Sequence, residues 1–398
     1  MDTPLDWLYS AQMFGIKLGL EGIKRLLERC GVSRPAAQVV HVAGTNGKGS
    51  TCAFAESVAR AAGYKTGLFT SPHLVCFHER IRVNGQNIPD ADLRRLIAEL
   101  RRRVDGLQPM PTFFELTLAL ALMYFAECGV ELIILETGLG GRLDATNALP
   151  KDVAALTPIG LDHTQYLGST LYEIAREKAA ILARHKPALT APQEPEAMRA
   201  IREAAAACET ECRVVTEECA LPLGLPGSHQ RQNAALALAA LRALPHFECT
   251  DEAVARGLAA TRWPGRFDEV RPGVVMDGAH NPHAMRTLVD CWRERFGSAK
   301  AHCIFAGSAD KDLDTVLGLL APIVSDWALP PVQSPRILPP AELLPKVRAA
   351  GATKISTPPT LAAALEHTPT PTLICGSFFL LGEAMALMHG SAYRQTIQ

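Results

Sequence analysis

Short apolar runs alternate with amphipathic segments through most of the chain. Buried strands are indicated by VVHVAG (Val39–Gly44), ELIILETG (Glu131–Gly138) and VAALTPIG (Val153–Gly160), and each run passes into polar residues at its end. Apolar residues at helical spacing follow in STCAFAESVARAAGY (Ser50–Tyr64) and GSHQRQNAALALAAL (Gly227–Leu241). The alternation predicts an α/β fold in which helices cover both faces of a mainly parallel sheet.

A Trp-Pro-Gly break at Trp263–Gly265 interrupts this alternation, which then restarts with GVVMDGAHNP and AHCIFAGSADKD. The chain has 398 residues, which is more than one compact core usually holds. We therefore expect a larger domain over residues 1–264, with a phosphate loop and a mainly parallel sheet. A smaller, Rossmann-like α/β domain is expected over residues 265–398.

Composition narrows the class of protein. The formal net charge of -1 offers no general field for nucleic acid or an anionic membrane, so we expect neither as a partner. The longest apolar run, Leu116–Ala126, is about half of a bilayer span, and the N-terminus does not read as a secretory signal. The 11 cysteines include no C-x-x-C pair, which favours a reducing cytoplasm over a disulfide framework or a zinc ribbon.

The stretch HVAGTNGKGS (His41–Ser50) lies between a predicted strand and a predicted helix. Backbone N–H groups at such a turn, together with the helix dipole and Lys48, suit phosphate oxygens. The usual phosphate-loop pattern places Ser or Thr directly after the lysine, whereas Gly49 intervenes here before Ser50. A plain glycine-rich turn is the alternative interpretation.

Polar side chains also follow other predicted strands. Glu136 ends one strand, where a carboxylate is costly unless it meets a cation such as magnesium. His163 follows the next strand, and His280 lies in a polar cluster, DGAHN, in the second domain. Arg266, just after the break, can direct its guanidinium toward phosphate. The alternatives are a capping glutamate, structural histidines and an interdomain ion pair.

Several separated motifs, taken in order, resemble the Mur ligase superfamily and within it the dihydrofolate synthase and folylpolyglutamate synthase family. They extend from near the N-terminus almost to the end of the chain: HVAGTNGKGST, TSPHL, ERIRVNG, TFFE, LETGLGGRLDATN, GLDHTQYLGSTLYEIAREKAAI, WPGRFD, DGAHNP, DKD and GSFFLLGE. The resemblance implies an ATP-dependent ligase. It would join L-glutamate to 7,8-dihydropteroate and to folate polyglutamate chains through an acyl phosphate.

The resemblance also implies a nucleotide and metal site. The implied ATP contacts are Asn46, Gly47, Lys48, Gly49, Ser50, Asn233, Arg266 and Asp277. Two magnesium sites are implied, the first served by Ser50, Ser71 and Glu136 and the second by His163. Lys178 alone reads as a surface lysine, but it matches a lysine that is carboxylated in many relatives and then ligates the second metal.

The implied catalytic groups are Lys48, His163, Lys178 and His280. The implied substrate wall comprises Leu18, Gly19, Leu20, Thr112, Phe113, Phe114, Glu115, Leu143, Asp144 and Ala145. Phe113 or Phe114 would stack on the pterin ring and Asp144 would accept its N–H groups. The chain departs from the family at Lys17 and Gly22, where an acidic residue and an arginine are usual.

We expect a cytoplasmic monomer whose partners are small molecules: ATP, L-glutamate and a dihydropteroate or folate. Three alternatives stay open at this point. The protein has only one of the two ligase activities, it is another Mur-type ligase, or it is a non-catalytic phosphate-loop switch. Glutamate-dependent release of ADP distinguishes a ligase from a switch.

Overall fold

The computed structural model describes residues 3–11, 19–391 and 393. A first sheet of eight strands has the order β4-β3-β2-β5-β1-β6-β7-β8. The strands are β1 Gln38–Ala43, β2 Thr66–Phe69, β3 Ile81–Val83, β4 Gln86–Asn87, β5 Leu132–Glu136, β6 Val153–Leu156, β7 Ala188–Thr190 and β8 Cys212–Val214. Strands β2, β5, β1, β6, β7 and β8 run parallel, whereas β3 and β4 form an antiparallel edge.

Ten helices accompany this sheet among the described residues. They are α1 Pro4–Ser10, α2 Glu21–Cys30, α3 Lys48–Ala61, α4 Asp90–Arg103, α5 Phe113–Glu127, α6 Thr164–Leu167, α7 Leu171–Ala179, α8 Pro195–Ala207, α9 His229–Arg242 and α10 Asp251–Ala260. Helices α1, α2, α4 and α5 share an apolar core with Val39 and Ile133. Helices α3, α9 and α10 share another with Val40 and Ile134. Alternate residues of each strand therefore face opposite helical layers.

A second sheet of six strands has the order β13-β12-β11-β14-β10-β9, with only β9 antiparallel to its neighbour. Its strands are β9 Asp268–Arg271, β10 Val274–Asp277, β11 Ala301–Phe305, β12 Val324–Ala328, β13 Ile355–Ser356 and β14 Thr372–Cys375. The helices around it are α11 Pro282–Phe296, α12 Leu313–Leu320, α13 Pro340–Ala349, α14 Leu361–Glu366 and α15 Phe378–His389.

The predicted fold class is confirmed, because both sheets are mainly parallel and lie among helices. The helix predicted to begin at Ser50 begins at Lys48, so the lysine is already inside its first turn. The boundary between residues 264 and 265 stays a prediction. Within the described part of the chain, no helix is both long enough and apolar enough to cross a membrane.

Candidate active site

The strands β1, β5 and β6 are neighbours in the first sheet, so their C-terminal ends bring three loops together. Register pairs Val42 with Glu136 and Ala43 with Leu156. These ends open into a cavity of about 970 Å³, whose opposite wall comes from the second sheet and its loops. Ligands bind at this edge of open α/β sheets, because the strand ends leave a crevice there.

Residues 44–47 form the predicted phosphate loop between β1 and α3. Gly47 has a φ of 88°, and a Cβ there would lie 2.6 Å from Asn233 Oδ1, so both conformation and space require glycine. Among the described residues, no side chain caps the start of α3. Lys48 Nζ donates to the carbonyls of Gly44 and Thr45 at 3.2 Å each. The loop thus lines the cavity with a cation and an uncapped helix start.

Glu136 is buried at the end of β5, and one of its oxygens accepts from the Ser71 amide at 3.1 Å. Burial raises the pKa of Glu136, although Lys48 and the Ser71 amide oppose the shift. A buried carboxylate of this kind gains from a cation beside it. Ser50 is also buried and accepts from Gln230 at 3.4 Å.

The oxygens of Ser50, Ser71 and Glu136 line the same cavity and are donors that magnesium prefers. Within the described ranges, no group of three or more His, Cys, Asp or Glu side chains is arranged to hold a metal. This donor set still fits magnesium, which takes most of its remaining ligands from water and phosphate.

Lys178 is buried rather than exposed, which corrects its interpretation as a surface lysine from the local sequence. Its Nζ donates to the Gly44 carbonyl at 2.9 Å, at the entrance to the phosphate loop. Burial, with a smaller contribution from the charge of Lys48, lowers the pKa of Lys178 to about 7. A substantial neutral fraction therefore exists near neutral pH, and the neutral amine is the nucleophilic form.

The loop after β6 carries His163 in a left-handed conformation, with a φ of 51°. Burial lowers the pKa of His163 to about 4, with Asp162 opposing the shift. Its imidazole is therefore neutral at pH 7 and offers a nitrogen lone pair, as metal coordination requires. Loop conformation and burial thus leave His163 fit for the predicted role.

Asp162 connects the two walls of the cavity. Its carboxylate accepts from Lys311 Nζ at 2.6 Å and from Asn281 Nδ2 at 2.9 Å, and His280 Nε2 lies 3.5 Å away. Burial alone would raise the pKa of Asp162, but the His280 hydrogen bond and the charges of His280 and Lys311 hold it well below its usual value. The carboxylate is therefore ionised at neutral pH and binds the second sheet's loops.

The predicted nucleotide residues lie around the same cavity. Asn233 is buried on α9 and donates to Gln230 at 2.9 Å. The Arg266 guanidinium lies 4.9 Å from the ring centroid of Phe378. Asp277 accepts from the amides of Phe267 and Ala279, both at 2.8 Å, and so holds the segment that carries Arg266.

Asn46 bridges the two walls, because its Nδ2 contacts Asn281 Oδ1 at 3.2 Å and His283 Nδ1 at 2.7 Å. His280 Nδ1 lies 2.8 Å from the Gly278 carbonyl, which can only accept, so Nδ1 is the donor of this hydrogen bond. Its Nε2 is then the nitrogen that lies near Asp162. The structure therefore brings Asn46 and His280 to the same contact between the two walls of the cavity.

Most of the residues predicted for the substrate wall line the cavity. The members that line the cavity are Gly19, Thr112, Phe113, Phe114, Glu115, Leu143, Asp144 and Ala145. Leu18 lies outside the described residues. Leu20 precedes α2, packs against the core around α1, α2, α4 and α5 and is not among the described residues that line the cavity, so its contact with substrate stays a prediction.

Phe113 and Phe114 differ in how accessible their rings are to a ligand. Phe113 is 4% exposed, with its ring 5.5 Å from that of Tyr9 and 6.0 Å from that of Phe77, and the Arg80 guanidinium lies over it at 5.4 Å. Phe114 is half-buried, with its ring 5.7 Å from that of Phe69. Phe114 is therefore the better candidate to stack on a planar ligand.

Asp144 is already well provided with donors. One oxygen accepts from the amides of Gly138 at 3.0 Å and Leu139 at 2.8 Å, and the other accepts from the amide and hydroxyl of Thr146. Burial raises the pKa of Asp144, although these donors oppose the shift. The carboxylate shapes the loop, so a pterin N–H would have to share an oxygen that already has two partners.

Sequence reasoning did not assign Lys311, Ser377 or Phe378 to the site, yet all three line the cavity. Each follows a strand of the second sheet, which is the signal that could have found them. Asp162, the residue before His163, likewise receives no role from the sequence alone.

Comparison with known proteins supports this geometry. The Mur ligase middle domain family matches residues 42–210, and the Mur ligase glutamate ligase domain family matches residues 265–374. The dihydrofolate synthase/folylpolyglutamate synthase of Bacillus subtilis (strain 168) is 38% identical over 353 residues, covering 80% of this chain and 82% of the relative. This chain belongs to the dihydrofolate synthase/folylpolyglutamate synthase family.

Members of this family with solved structures share the whole fold. Escherichia coli FolC, in complex with DHPP and ADP, has a TM-score of 0.88 and 35% identity, with 98% of each chain covered. A bifunctional folylpolyglutamate synthase/dihydrofolate synthase with Mn, AMPPNP and L-glutamate bound has a TM-score of 0.86 and 32% identity, covering 97% of this chain and 98% of its own. The chain is accordingly an ATP-dependent ligase of the Mur type.

Proposed function

We propose that this ligase joins L-glutamate to 7,8-dihydropteroate and to the terminal glutamate of folate chains. The observation that carries the proposal is a single cavity bounded by a phosphate loop, an aromatic wall and a cationic wall from the second sheet. Phosphate, a planar ring and an amino acid are the three chemistries that these walls suit. The ligands bound by the solved relatives support the same assignment.

The nucleotide phosphates lie on the start of α3 in this proposal. The amides of residues 46–50 and Lys48 surround the phosphates, and Arg266 approaches from the other wall. Asn233 contacts the nucleotide from α9. Two magnesium ions would be held by Ser50, Ser71 and Glu136 and by His163, and when bound they supply charge neutralisation for the transferring phosphoryl group.

Lys178 is proposed to carry a carbamate. The lowered pKa of Lys178, about 7, provides the neutral amine that adds to carbon dioxide. The carbamate nitrogen retains one hydrogen and can keep its bond to Gly44, while the new anion gains from the positive charge of Lys48. This modification would make Lys178 a ligand of the second metal.

The acid substrate lies along the wall formed by Thr112, Phe114 and Ala145, with Phe114 against the pterin ring. Its carboxylate attacks the γ-phosphorus of ATP, and ADP leaves, giving an acyl phosphate. Lys48 and Arg266 stabilise the charge that develops on the equatorial oxygens. The two walls, joined through Asp162, exclude water that would hydrolyse this intermediate.

L-Glutamate lies against the second wall, where Lys311 and His280 face the cavity. The free amino group attacks the acyl carbon, a tetrahedral intermediate forms, and phosphate leaves as the amide is completed. The ammonium of glutamate first gives a proton to water to become this free amine, and the nitrogen gives up a second proton as the amide forms. His280 is placed to position the amine or the departing phosphate.

The test is a substrate panel on the purified protein with ATP and magnesium. We expect ADP release only when glutamate and either dihydropteroate or a folate are both present, and the amide product appears in equal amount. Lys48→Met should abolish both signals, whereas Lys346→Met, which removes an exposed lysine paired with Asp314, should leave them intact. ADP release that ignores glutamate would contradict the proposal and favour a nucleotide switch.

We further propose that the protein acts as a cytoplasmic monomer on small molecules. One chain supplies a phosphate loop, an aromatic wall and a cationic wall around the same cavity, which supports this proposal. All 11 cysteines are free thiols, which is typical of a reducing compartment. Light scattering would measure the mass in solution, and a dimer would contradict this part.

A further inference from the structure

A steric constraint explains why a glycine lies between Lys48 and Ser50. Gly49 is the second residue of α3 and has no positive φ, so its helical backbone suits any residue. A Cβ built there would lie 2.8 Å from Trp263 Nε1, 3.3 Å from Cε2 and 3.5 Å from Cζ2. All three nearest atoms belong to one indole, which therefore occupies the space that a side chain at position 49 would need.

The indole of Trp263 is also held from another side. The Arg82 guanidinium on β3 lies 4.9 Å from the centroid of its ring. Arg82 Nε has no hydrogen-bond partner among the described residues, and burial lowers the pKa of Arg82. Cation–π attraction is strengthened when water is excluded from the guanidinium. Trp263 further packs on the core beneath α3, α9 and α10.

Trp263 belongs to the segment that connects α10 to β9, residues 261–267, which links the two sheets in the chain. The segment is held at its far end by Asp277, which accepts from the Phe267 amide at 2.8 Å. Arg266 lies between these two attachments and lines the cavity. Its position relative to the phosphate loop therefore depends on where Trp263 sits.

We propose that Trp263 is a positioning residue that fixes the connecting segment against the first turn of α3, and so sets Arg266 at the nucleotide phosphates. Gly49 leaves room for the indole. This inference rests on the proposed function only in that residues 46–50 bind phosphate. It adds a role to Trp263 and an explanation for the unusual spacing of the loop.

The test is a double-variant cycle on affinity for AMPPNP with magnesium, measured by calorimetry. Gly49→Ala should weaken binding about tenfold, because the new methyl displaces the indole. Trp263→Ala should also weaken binding about tenfold, since Arg266 loses its anchor. Adding Gly49→Ala to Trp263→Ala should cost about twofold or less, because nothing remains to collide with the methyl.

Trp263→Phe provides a second background if the alanine variant folds poorly, as it keeps a ring beneath Arg82 and vacates the space near position 49. Binding by Trp263→Phe should be closer to wild type, and Gly49→Ala should again cost little in that background. In turnover assays, the KM for ATP should rise in Trp263→Ala while the KM for glutamate stays near wild type. A merely structural role would not produce that split.

Gly318→Ala is the matched control, because Gly318 lies in helix α12 and a Cβ there meets nothing within 4 Å. Its AMPPNP affinity should equal that of wild type. If Gly49→Ala weakens binding equally in all backgrounds, the indole is not the cause and the inference is overturned. Binding requires no turnover, so intact coupling without glutamate-dependent ADP release would count against the proposed function alone.

Discussion

The ion pair between Asp162 and Lys311 joins the two walls of the cavity, so we expect the contact between the walls to open more often when the pair is broken. Both side chains are only 8% exposed, and their charged atoms lie 2.6 Å apart. Removing one member of a buried pair costs about 3–5 kcal/mol, because the other charge stays buried without its partner. Asp162→Asn keeps the size of the side chain but removes the charge that holds Lys311.

The cost should fall at the lower end of that range. Lys311 keeps Asp310 at 3.8 Å, and an amide oxygen at position 162 can still accept from it. A loss of about 3 kcal/mol corresponds to roughly a 100-fold increase in local opening of the contact. Hydrogen exchange measured by mass spectrometry on peptides covering residues 160–168 and 306–313 reports this opening directly.

We expect faster exchange in both peptides of Asp162→Asn, with exchange in β1 and β5 unchanged. Asp314→Asn is the matched control, because it breaks an Asp–Lys pair of 2.9 Å that is largely exposed, with Asp314 at 78%. Exposed pairs contribute little, so its exchange should match wild type. Exchange in Asp162→Asn within threefold of wild type would refute the view that this pair joins the walls.

Three further predictions concern the phosphate and metal site. Glu136→Gln keeps an acceptor for the Ser71 amide while removing a buried charge, so without metal its melting temperature should equal that of wild type. Magnesium and AMPPNP at 100-fold excess over Kd should stabilise the wild-type protein by about 2.7 kcal/mol and the variant by much less. An equal stabilisation of both proteins in scanning fluorimetry would exclude Glu136 as a magnesium ligand. Gly47→Ala places an alanine in the left-handed conformation with its Cβ 2.6 Å from Asn233, so its affinity for AMPPNP should fall. Gly31→Ala is the control, because Gly31 has a similar φ but open space around it, and its affinity for AMPPNP should equal that of wild type in the same titration. For Lys178, the folded-state pKa of about 7 lies below the unfolded value, so the unfolded chain binds more protons between pH 7 and 10. Wild-type stability, relative to Lys178→Met, should rise by about 1 kcal/mol per pH unit there in urea titrations without carbon dioxide, and a flat difference would contradict a depressed pKa.

The alternation of apolar runs was enough to predict an α/β fold and the strands that carry the site. Phosphate-loop residues, Glu136 and His163 follow neighbouring parallel strands, so the end of the sheet necessarily brings them to one edge. Those features depend on local periodicity and on a general rule of parallel sheets. They can therefore be predicted from the sequence before any contact is known.

Contacts between distant segments could not be predicted in this way. Lys178 looks solvent-facing within its own helix, and only the approach of the Gly44 carbonyl shows that it is buried. The close approach of the Trp263 indole to Gly49 joins segments far apart in the chain. Asp162 likewise acquires its role from side chains of the second sheet's loops.

In the proposed reaction, ATP activates a carboxylate, which glutamate then captures as an amide. This reaction can be followed with dihydropteroate that carries oxygen-18 at both carboxylate positions, in the presence of ATP, magnesium and L-glutamate. We expect each amide formed to be matched by one ADP and by one phosphate that carries a single labelled oxygen. Phosphate without label, or ADP released without amide, would contradict it.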